Sequence, residues 1–156
     1  MRFTILLVLS FLLPAPAPAQ AQPPASAAKT KAQLTDMYRQ VIGALQSRDT
    51  VVLSRIYGAG YHFVMGGGDS VLTLDRAERL QSVAASTDSI RTLSLERCDF
   101  DLFGVMAIGA CWVRQSSGGS QEWVGIYSTQ VFRRDAGGRW WLVRTHASVN
   151  RPRRRP

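Results

Sequence analysis

The residue types best suited to chemistry occur together in the last apolar segment, where Arg144-Thr145-His146 follows two tryptophans. Histidine is the side chain whose charge changes near neutral pH, so His146 is the first candidate for moving protons. A tyrosine hydroxyl such as that of Tyr127 can orient an imidazole by a hydrogen bond. We predict His146 and Tyr127 as the candidate catalytic pair. The simpler alternative is a strand-end histidine that is hydrogen-bonded to this tyrosine or to backbone.

A β-hairpin must bring these two residues together. Residues 135–138, Asp-Ala-Gly-Gly, are typical of a four-residue turn between two segments rich in branched and aromatic residues. Such a turn pairs Arg134 with Arg139. Counting outward from it predicts three further pairs: Val131 with Leu142, Thr129 with Arg144, and Tyr127 with His146.

One face of this predicted hairpin changes from apolar to polar along its length. Alternate side chains of a strand share a face, and the face that holds His146 is apolar near the turn and polar further along. This gradient suits a cavity with an apolar floor and a few hydrogen-bonding groups at one end. The predicted ligand-binding residues on this face are Arg144, Thr129, Leu142, Val131 and Trp140. The opposite face, which holds Thr145, Ala147 and Ser128, suits packing against another layer or a second subunit.

Other groups that could do chemistry have simpler explanations. Asp99 and Asp101 lie on one strand face together with Arg97, and such charges usually mark a solvated face. His62 alternates with two aromatic rings, which favours a surface or subunit-contact position. The glycines at 66–68 lack the lysine of a phosphate loop and predict a turn. Since the sequence has no zinc spacing, nucleotide fingerprint or nucleophile elbow, we predict no metal and no cofactor.

The elements that precede the hairpin are mostly helical. Apolar residues recur at intervals of three and four from Leu34 to Leu45, which predicts an amphipathic helix. A second, shorter helix is expected to end at Gly58-Ala59-Gly60, and residues 61–65 are strand-like. A third helix then runs to Val83. The candidate capping residues are Asp49 or Thr50 for the second helix and Thr73 or Asp75 for the third.

From residue 90 onward the hydrophobic period is that of strands. Four segments, at about 91–102, 105–115, 121–134 and 139–149, are separated by short links that contain glycine. Such links predict antiparallel hairpins. Helices followed by a strand meander predict an α+β domain whose helices pack on one face of a sheet.

The chain has two cysteines, Cys98 and Cys111, in the first two of these segments. If the two segments form a hairpin, the cysteines could lie opposite each other and form a disulfide, as an even count suggests for an exported protein. Two buried free thiols are nearly as common an outcome, because cysteine behaves as a small hydrophobe.

Both ends of the chain are predicted to lie outside the folded domain, which spans residues 31–149. Residues 1–21 have the basic start, short apolar run and Ala-x-Ala site of an export signal peptide. The run is too short for a stable anchor, although a one-pass anchor is the alternative. Residues 22–30 are predicted to form a flexible leader and 150–156 a disordered basic tail. We therefore expect a periplasmic or secreted protein with no stable membrane anchor after signal cleavage.

The net charge of +8 is concentrated at these ends. Arg2 and the four arginines among the last six residues carry five of the positive charges, which leaves +3 on the folded part. Aromatic and basic residues do not interleave outside the tail, so nucleic-acid binding is not predicted.

The order of these elements resembles the nuclear-transport-factor-2-like superfamily, and within it the SnoaL-like members of unknown function. The matching pieces are residues 53–57, 61–64, 103–107 and 138–148, so that the resemblance covers about 31–149. It implies a cone-shaped α+β barrel, in which a strongly curved antiparallel sheet wraps around three N-terminal helices. It also implies a pocket at the open end and frequent dimerisation through the outer face of the sheet.

This superfamily includes steroid isomerases, polyketide cyclases and dehydratases alongside members that only bind or oligomerise. Its enzymes commonly use a carboxylate as general base, whereas this chain has no acid between Asp49 and Asp69. We therefore predict a non-catalytic, homodimeric domain that binds a small apolar molecule or a partner. The alternative is an isomerase, cyclase or dehydratase in which His146, with Tyr127 or Arg144, moves protons on an apolar, enolisable substrate.

Overall fold

The computed structural model describes residues 24–67, 70–86, 92–116 and 123–150. The elements in chain order are α1 (Pro24–Ser47), α2 (Thr50–Ile56), β1 (Tyr57–Gly67), β2 (Ser70–Asp75), α3 (Arg76–Ala84), β3 (Thr92–Phe103), β4 (Met106–Ser116), β5 (Trp123–Arg134) and β6 (Trp140–Asn150). The predicted signal peptide and residues 151–156 of the predicted tail lie outside these ranges. Within them, no helix is long and apolar enough to cross a membrane.

Helix α1 buries the predicted apolar stripe but begins earlier than expected. Leu34, Tyr38 and Val41 all face the core. Residues 24–30, which were predicted as a flexible leader, belong to the helix. This segment contains three alanines, the residue type with the highest helix propensity, so the helix continues outward beyond the part that the core stabilises.

Each of the two shorter helices begins at an aspartate from its predicted pair of caps. Asp49 accepts a hydrogen bond from the backbone N–H of Val52 at the start of α2. Asp75 caps α3 and forms a reciprocal capping box with Glu78. These bonds satisfy backbone donors that have no partner within the first turn of a helix.

The six strands form one mixed sheet in the order β2-β1-β6-β5-β4-β3. Strands β3 to β6 form the predicted antiparallel meander, but β1 runs parallel to β6, so the expectation of a wholly antiparallel sheet was wrong. The parallel pair is sterically feasible because the long meander connects the two strands. The edge strand β2 was not predicted, since its exposed residues Val71 and Leu72 show no alternation of apolar and polar types.

The register of the β5–β6 hairpin differs from the predicted one. Arg134 pairs with Trp140 rather than Arg139, because the connection includes Arg139 and is one residue longer than expected. The carboxylate of Asp135 holds this loop by accepting from the backbone N–H of Arg139 and from the indole N–H of Trp141. These bonds lower the pKa of Asp135.

A β-bulge at Val143 shifts the register a second time. Phe132 pairs with Leu142, but the next residue of β5, Val131, pairs with Arg144, so Val143 has no partner on β5. An extra residue reverses which side chains point inward beyond it. The remaining pairs of the hairpin are therefore Thr129 with His146 and Tyr127 with Ser148, rather than the predicted ones.

Strand β1 is distorted beside the same bulge. Tyr57 pairs with Leu142 and His62 with Arg144, so the residues between Tyr57 and His62 are accommodated opposite Val143. Gly58 lies so close to β6 that a Cβ atom there would be 3.3 Å from Cγ1 of Val143. The distortion places Tyr57 and Tyr61 on the same inner side, where their rings stack with centroids 4.0 Å apart.

The two cysteines form a disulfide across the β3–β4 hairpin. Cys98 and Cys111 are direct partners in the register, and their sulfurs are bonded. Cys111 is buried in the core. Of the two alternatives left open by the sequence, the structure therefore contains the disulfide.

Reduction of the disulfide is expected to destabilise the fold. Closing a loop of this length stabilises a domain by about 2–3 kcal/mol, mainly through the unfolded state. Urea unfolding followed by circular dichroism, with and without reductant, measures the difference. A double variant, Cys98→Ala with Cys111→Ala, serves as the control and should not respond to reductant. Identical midpoints for oxidised and reduced wild type would contradict the prediction.

Candidate functional site

A cavity of about 600 Å³ lies between the helices and the inner face of the sheet. This volume is in the range of sites that enclose small molecules. Its walls come from α1, α3 and the five strands β1, β2, β4, β5 and β6, with one further residue from β3. The larger part of the lining surface is apolar, and eleven of the 23 lining residues have apolar side chains: Val41, Ile42, Leu45, Phe63, Met65, Leu72, Val83, Leu93, Val113, Ile126 and Ala147.

A chain of buried hydrogen bonds crosses the floor of the cavity from β6 to α1. The hydroxyl of Thr145 donates to Oε1 of Gln130 at 2.7 Å, and Nε2 of Gln130 donates to the hydroxyl oxygen of Tyr38 at 2.9 Å. The Tyr38 hydroxyl also lies 3.0 Å from Oγ of Ser128. Because the Tyr38 oxygen already accepts from Gln130, its proton is free to be donated to Ser128.

Three buried tyrosines in this region stay protonated at neutral pH. Burial raises the pKa of Tyr38 to about 12, although the hydrogen bond with Ser128 opposes this rise. Burial also raises the pKa values of Tyr57 and Tyr61, and the nearby Arg79 partly offsets the rise for both. All three therefore act as neutral hydroxyl groups that can donate hydrogen bonds to a bound molecule.

Arg79 supplies a positive charge to the cavity wall. Its guanidinium lies over the ring of Phe63, with 4.1 Å between the central carbon and the ring centroid. Its Nε atom is buried and has no hydrogen-bond partner. Arg76, one turn earlier on α3, donates to the backbone carbonyls of Tyr57 and Ser54 and so fixes the position of the helix.

The cavity lacks the groups that usually act as a general base. Among the described residues that line it there is no aspartate, glutamate or histidine. Its ionisable groups are the three tyrosines, Arg79 and Arg48. Tyrosines with raised pKa values are poor bases, and arginine stays protonated in proteins. The arrangement therefore suits binding and hydrogen-bond donation rather than proton abstraction.

The residues predicted from the sequence to form the site lie elsewhere. Tyr127, Thr129, Arg144 and His146 are exposed on the outer face of the sheet, so the prediction that they line the cavity was wrong. Arg144 and His146 face outward because the bulge at Val143 turns Thr145 inward. On β5, the outward residues alternate with Ser128 and Gln130, which face inward.

The three apolar residues of that prediction are not part of the cavity either. Trp140 and Leu142 precede the bulge and point inward, but they belong to the closed part of the core. Val131 is partly buried and does not line the cavity. His62 is exposed, in agreement with its predicted surface position.

Sequence reasoning missed most of the true lining residues, although two signals for them were present. Thr145 and Ala147 had been grouped with Ser128 on the face assigned to packing, and that grouping is correct because all three line the cavity together. The predicted helix end at Gly58-Ala59-Gly60 was wrong, because α2 ends at Ile56 and these glycines belong to β1. The second signal is the two tyrosines beside them, because aromatic residues are enriched in strands.

Comparison with solved structures identifies the architecture. A nuclear-transport-factor-2-like protein of Salmonella enterica serovar Typhimurium matches with a TM-score of 0.70 and 14% identity over 81% of this chain and 95% of its own. A Streptomyces avermitilis protein of the same family, described as a candidate dehydratase, matches with a TM-score of 0.67 and 24% identity over 81% and 99%. The chain has the nuclear-transport-factor-2-like fold. The predicted fold class is thus confirmed.

A third solved structure of similar fold is a CaMKII hub. The CaMKII hub of S. rosetta matches with a TM-score of 0.66 and 15% identity over 77% of this chain and 96% of its own. At such low identities the likeness concerns the fold alone. No family model and no curated protein matches the chain. The SnoaL-like assignment stays a prediction.

Removal of the Tyr38 hydroxyl tests the buried hydrogen bonds of the cavity floor. In Tyr38→Phe, the amide N–H of Gln130 loses its buried acceptor, so we expect the free energy of unfolding to fall by about 1–3 kcal/mol. The matched control is Tyr127→Phe, because that ring is 53% exposed on the outer face. Its effect should stay within about 0.5 kcal/mol. Urea unfolding measures both, and equal effects would argue against a satisfied buried network.

Proposed function

We propose that this chain binds a small, mainly apolar molecule in the cavity and performs no chemistry on it. The observation that carries this proposal is a cavity of about 600 Å³ with mostly apolar walls and no carboxylate or histidine among its described lining residues. Neutral hydroxyl groups on the floor would orient the molecule by hydrogen bonds. The apolar walls would supply most of the affinity by removing hydrocarbon surface from water.

An enzyme remains the second candidate, because a match of the same fold is described as a candidate dehydratase. A dehydratase, isomerase or cyclase needs a group that takes a proton from the substrate. The histidine that we predicted for this role is exposed on the outer face, and the cavity tyrosines are held neutral by burial. The geometry therefore favours binding over catalysis.

We also propose that the chain forms a homodimer through the outer face of its sheet. The centre of this face is apolar and exposed, with Ile108 beside Val131 and Trp112 beside Tyr127 in the β4–β5 register. The rings of Trp112 and Tyr127 are in edge contact, with centroids 4.0 Å apart. Exposed aromatic and branched residues on one surface are typical of association sites.

Charge complementarity favours a second copy as the partner. One row across the outer face runs Asp101, Ile108, Val131, Arg144 and His62, with an acidic end and a basic end. A two-fold axis through the apolar centre would lay the acidic end of one protomer on the basic end of its partner.

We further propose that the protein is exported. The features of residues 1–21 are those of a signal peptide. The disulfide between Cys98 and Cys111 supports the proposal, because such bonds persist in oxidising compartments.

The binding function is tested with a neutral fluorescent probe, N-phenyl-1-naphthylamine. In Ala147→Leu a larger side chain occupies the cavity wall, so we expect the affinity for the probe to fall about tenfold or more. The matched control is His146→Leu, because it introduces a leucine at the neighbouring position, whose side chain lies on the outer face. It should leave the affinity unchanged. Fluorescence titration measures both, and equal losses, or no binding by wild type, would refute the proposal.

The dimer is tested by placing a charge at the centre of the outer face. Tyr127→Asp puts an unpaired carboxylate into the proposed contact, so we expect the sedimentation velocity of the dimer to change to that of the monomer. Val71→Asp is the control, because Val71 is 71% exposed on the edge strand β2. It should leave the dimer intact. A wild-type protein that sediments as a monomer at all accessible concentrations would be incompatible with the proposal.

A further inference from the structure

We infer that the ligand of the cavity is a small monocarboxylate with an apolar body, and that its carboxylate binds Arg79. This inference rests on the proposed binding function and narrows it to a ligand class. Four observations carry it: the missing counter-charge of Arg79, the fixed orientation of its guanidinium, the donors beside it, and the size of the cavity.

The charge of Arg79 has no counter-charge in the described part of the chain. The ion pairs formed there involve other arginines, namely Arg39, Arg97 and Arg114. Arg79 is partly buried, and its Nε atom is fully removed from solvent without any acceptor. A buried N–H donor without an acceptor destabilises a fold, so a bound anion that accepts from Nε would relieve this cost.

The guanidinium of Arg79 is held in one orientation. The ring of Phe63 covers one face of the guanidinium, at 4.1 Å from the central carbon to the ring centroid. The position of α3 is fixed by the two hydrogen bonds that Arg76 donates to backbone carbonyls. A fixed planar group keeps its N–H edge available for a planar acceptor and loses little conformational entropy when that acceptor binds.

The groups beside Arg79 are also hydrogen-bond donors. Tyr57 interacts with Arg79, and the rings of Tyr57 and Tyr61 are stacked. Burial raises the pKa of Tyr57 but hydrogen bonds with Tyr61 and Arg79 act to lower it, so the Tyr57 oxygen is their acceptor and its own proton is left for a ligand. The cavity therefore presents a guanidinium and a phenol hydroxyl at one place, and these are donors that suit an oxyanion.

The remainder of the cavity selects for a single carboxylate on an apolar body. Arg48 is the other cationic residue of the lining, and no acidic residue among the described lining residues competes with a ligand anion. Apart from Arg48, the remaining lining residues are uncharged and their surface is mostly apolar, which would disfavour a second charged group elsewhere in the cavity. A volume of about 600 Å³ accommodates a body of one or two rings.

The experiment compares an acid with its neutral, nearly isosteric amide. We would measure displacement of N-phenyl-1-naphthylamine by 2-naphthoic acid and by 2-naphthamide, for wild type, Arg79→Met and Arg79→Lys. The matched control is Arg55→Met, which removes an exposed arginine of α2 that belongs neither to the cavity lining nor to the proposed dimer contact. Binding of the neutral probe reports in every variant whether the cavity is intact.

We expect wild type to bind the acid about tenfold or more tightly than the amide. Arg79→Met should lose this preference while it keeps the affinities for the amide and the probe. Arg79→Lys should retain part of the preference, because lysine keeps the charge but not the planar pair of donors. Arg55→Met should behave as wild type.

Three outcomes would overturn the inference while leaving the binding function intact. These are equal affinities of wild type for acid and amide, binding of the probe without binding of the acid, and loss of acid and amide in equal measure in Arg79→Met. Failure of the wild-type protein to bind the neutral probe and both naphthalene compounds would instead reject the proposed function itself.

Discussion

The unpaired residue Val143 on β6 determines which side chains reach the cavity. Strand side chains alternate with a period of two, so one extra residue exchanges the two faces of everything beyond it. Leu142, just before the bulge, points into the core, and beyond it Thr145 and Ala147 point inward while His146 points outward. Without the bulge, the outer arginine and histidine would face the helices, where charged groups without partners would be costly.

The same bulge makes a buried polar floor possible. Thr145 faces inward and donates to Gln130, which in turn donates to Tyr38 on α1. Burying any of these polar groups without a partner would cost about 1–3 kcal/mol of folding free energy. Any movement that breaks the bonds is therefore unfavourable, and the bonds keep α1 at a fixed distance from β5 and β6. The stacked rings of Tyr57 and Tyr61 line the neighbouring wall. We attribute the persistence of an open cavity in so small a domain to this combination of a hydrogen-bonded floor and rigid aromatic walls.

Much of the fold could be predicted from the sequence, whereas the site could not. The apolar stripe of α1, the aspartate caps and the glycine links of the meander are local signals, and each has a direct physical cause in the residues that carry it. The inner and outer faces of β6 depend instead on a loop that is one residue longer than its turn residues suggest, and on a bulge that no residue type announces. The parallel pairing of β1 with β6 joins segments at opposite ends of the domain, so it too leaves no local signal.

In the described part of the chain, exposed arginines form ion pairs and the partly buried Arg79 does not, which is the opposite of what selection for stability alone would give. Arg39 and Arg97 lie in contact with aspartates at 2.6 Å and 3.2 Å, although both pairs are exposed and such pairs contribute little. Arg79, which is partly buried and would gain most from a carboxylate, has none in the described part of the chain. Proteins retain such local costs where function requires them. If a carboxylate of the chain itself paired with Arg79, a ligand anion could not bind there and exchange. The missing internal counter-charge therefore agrees with an anionic ligand that binds from solution.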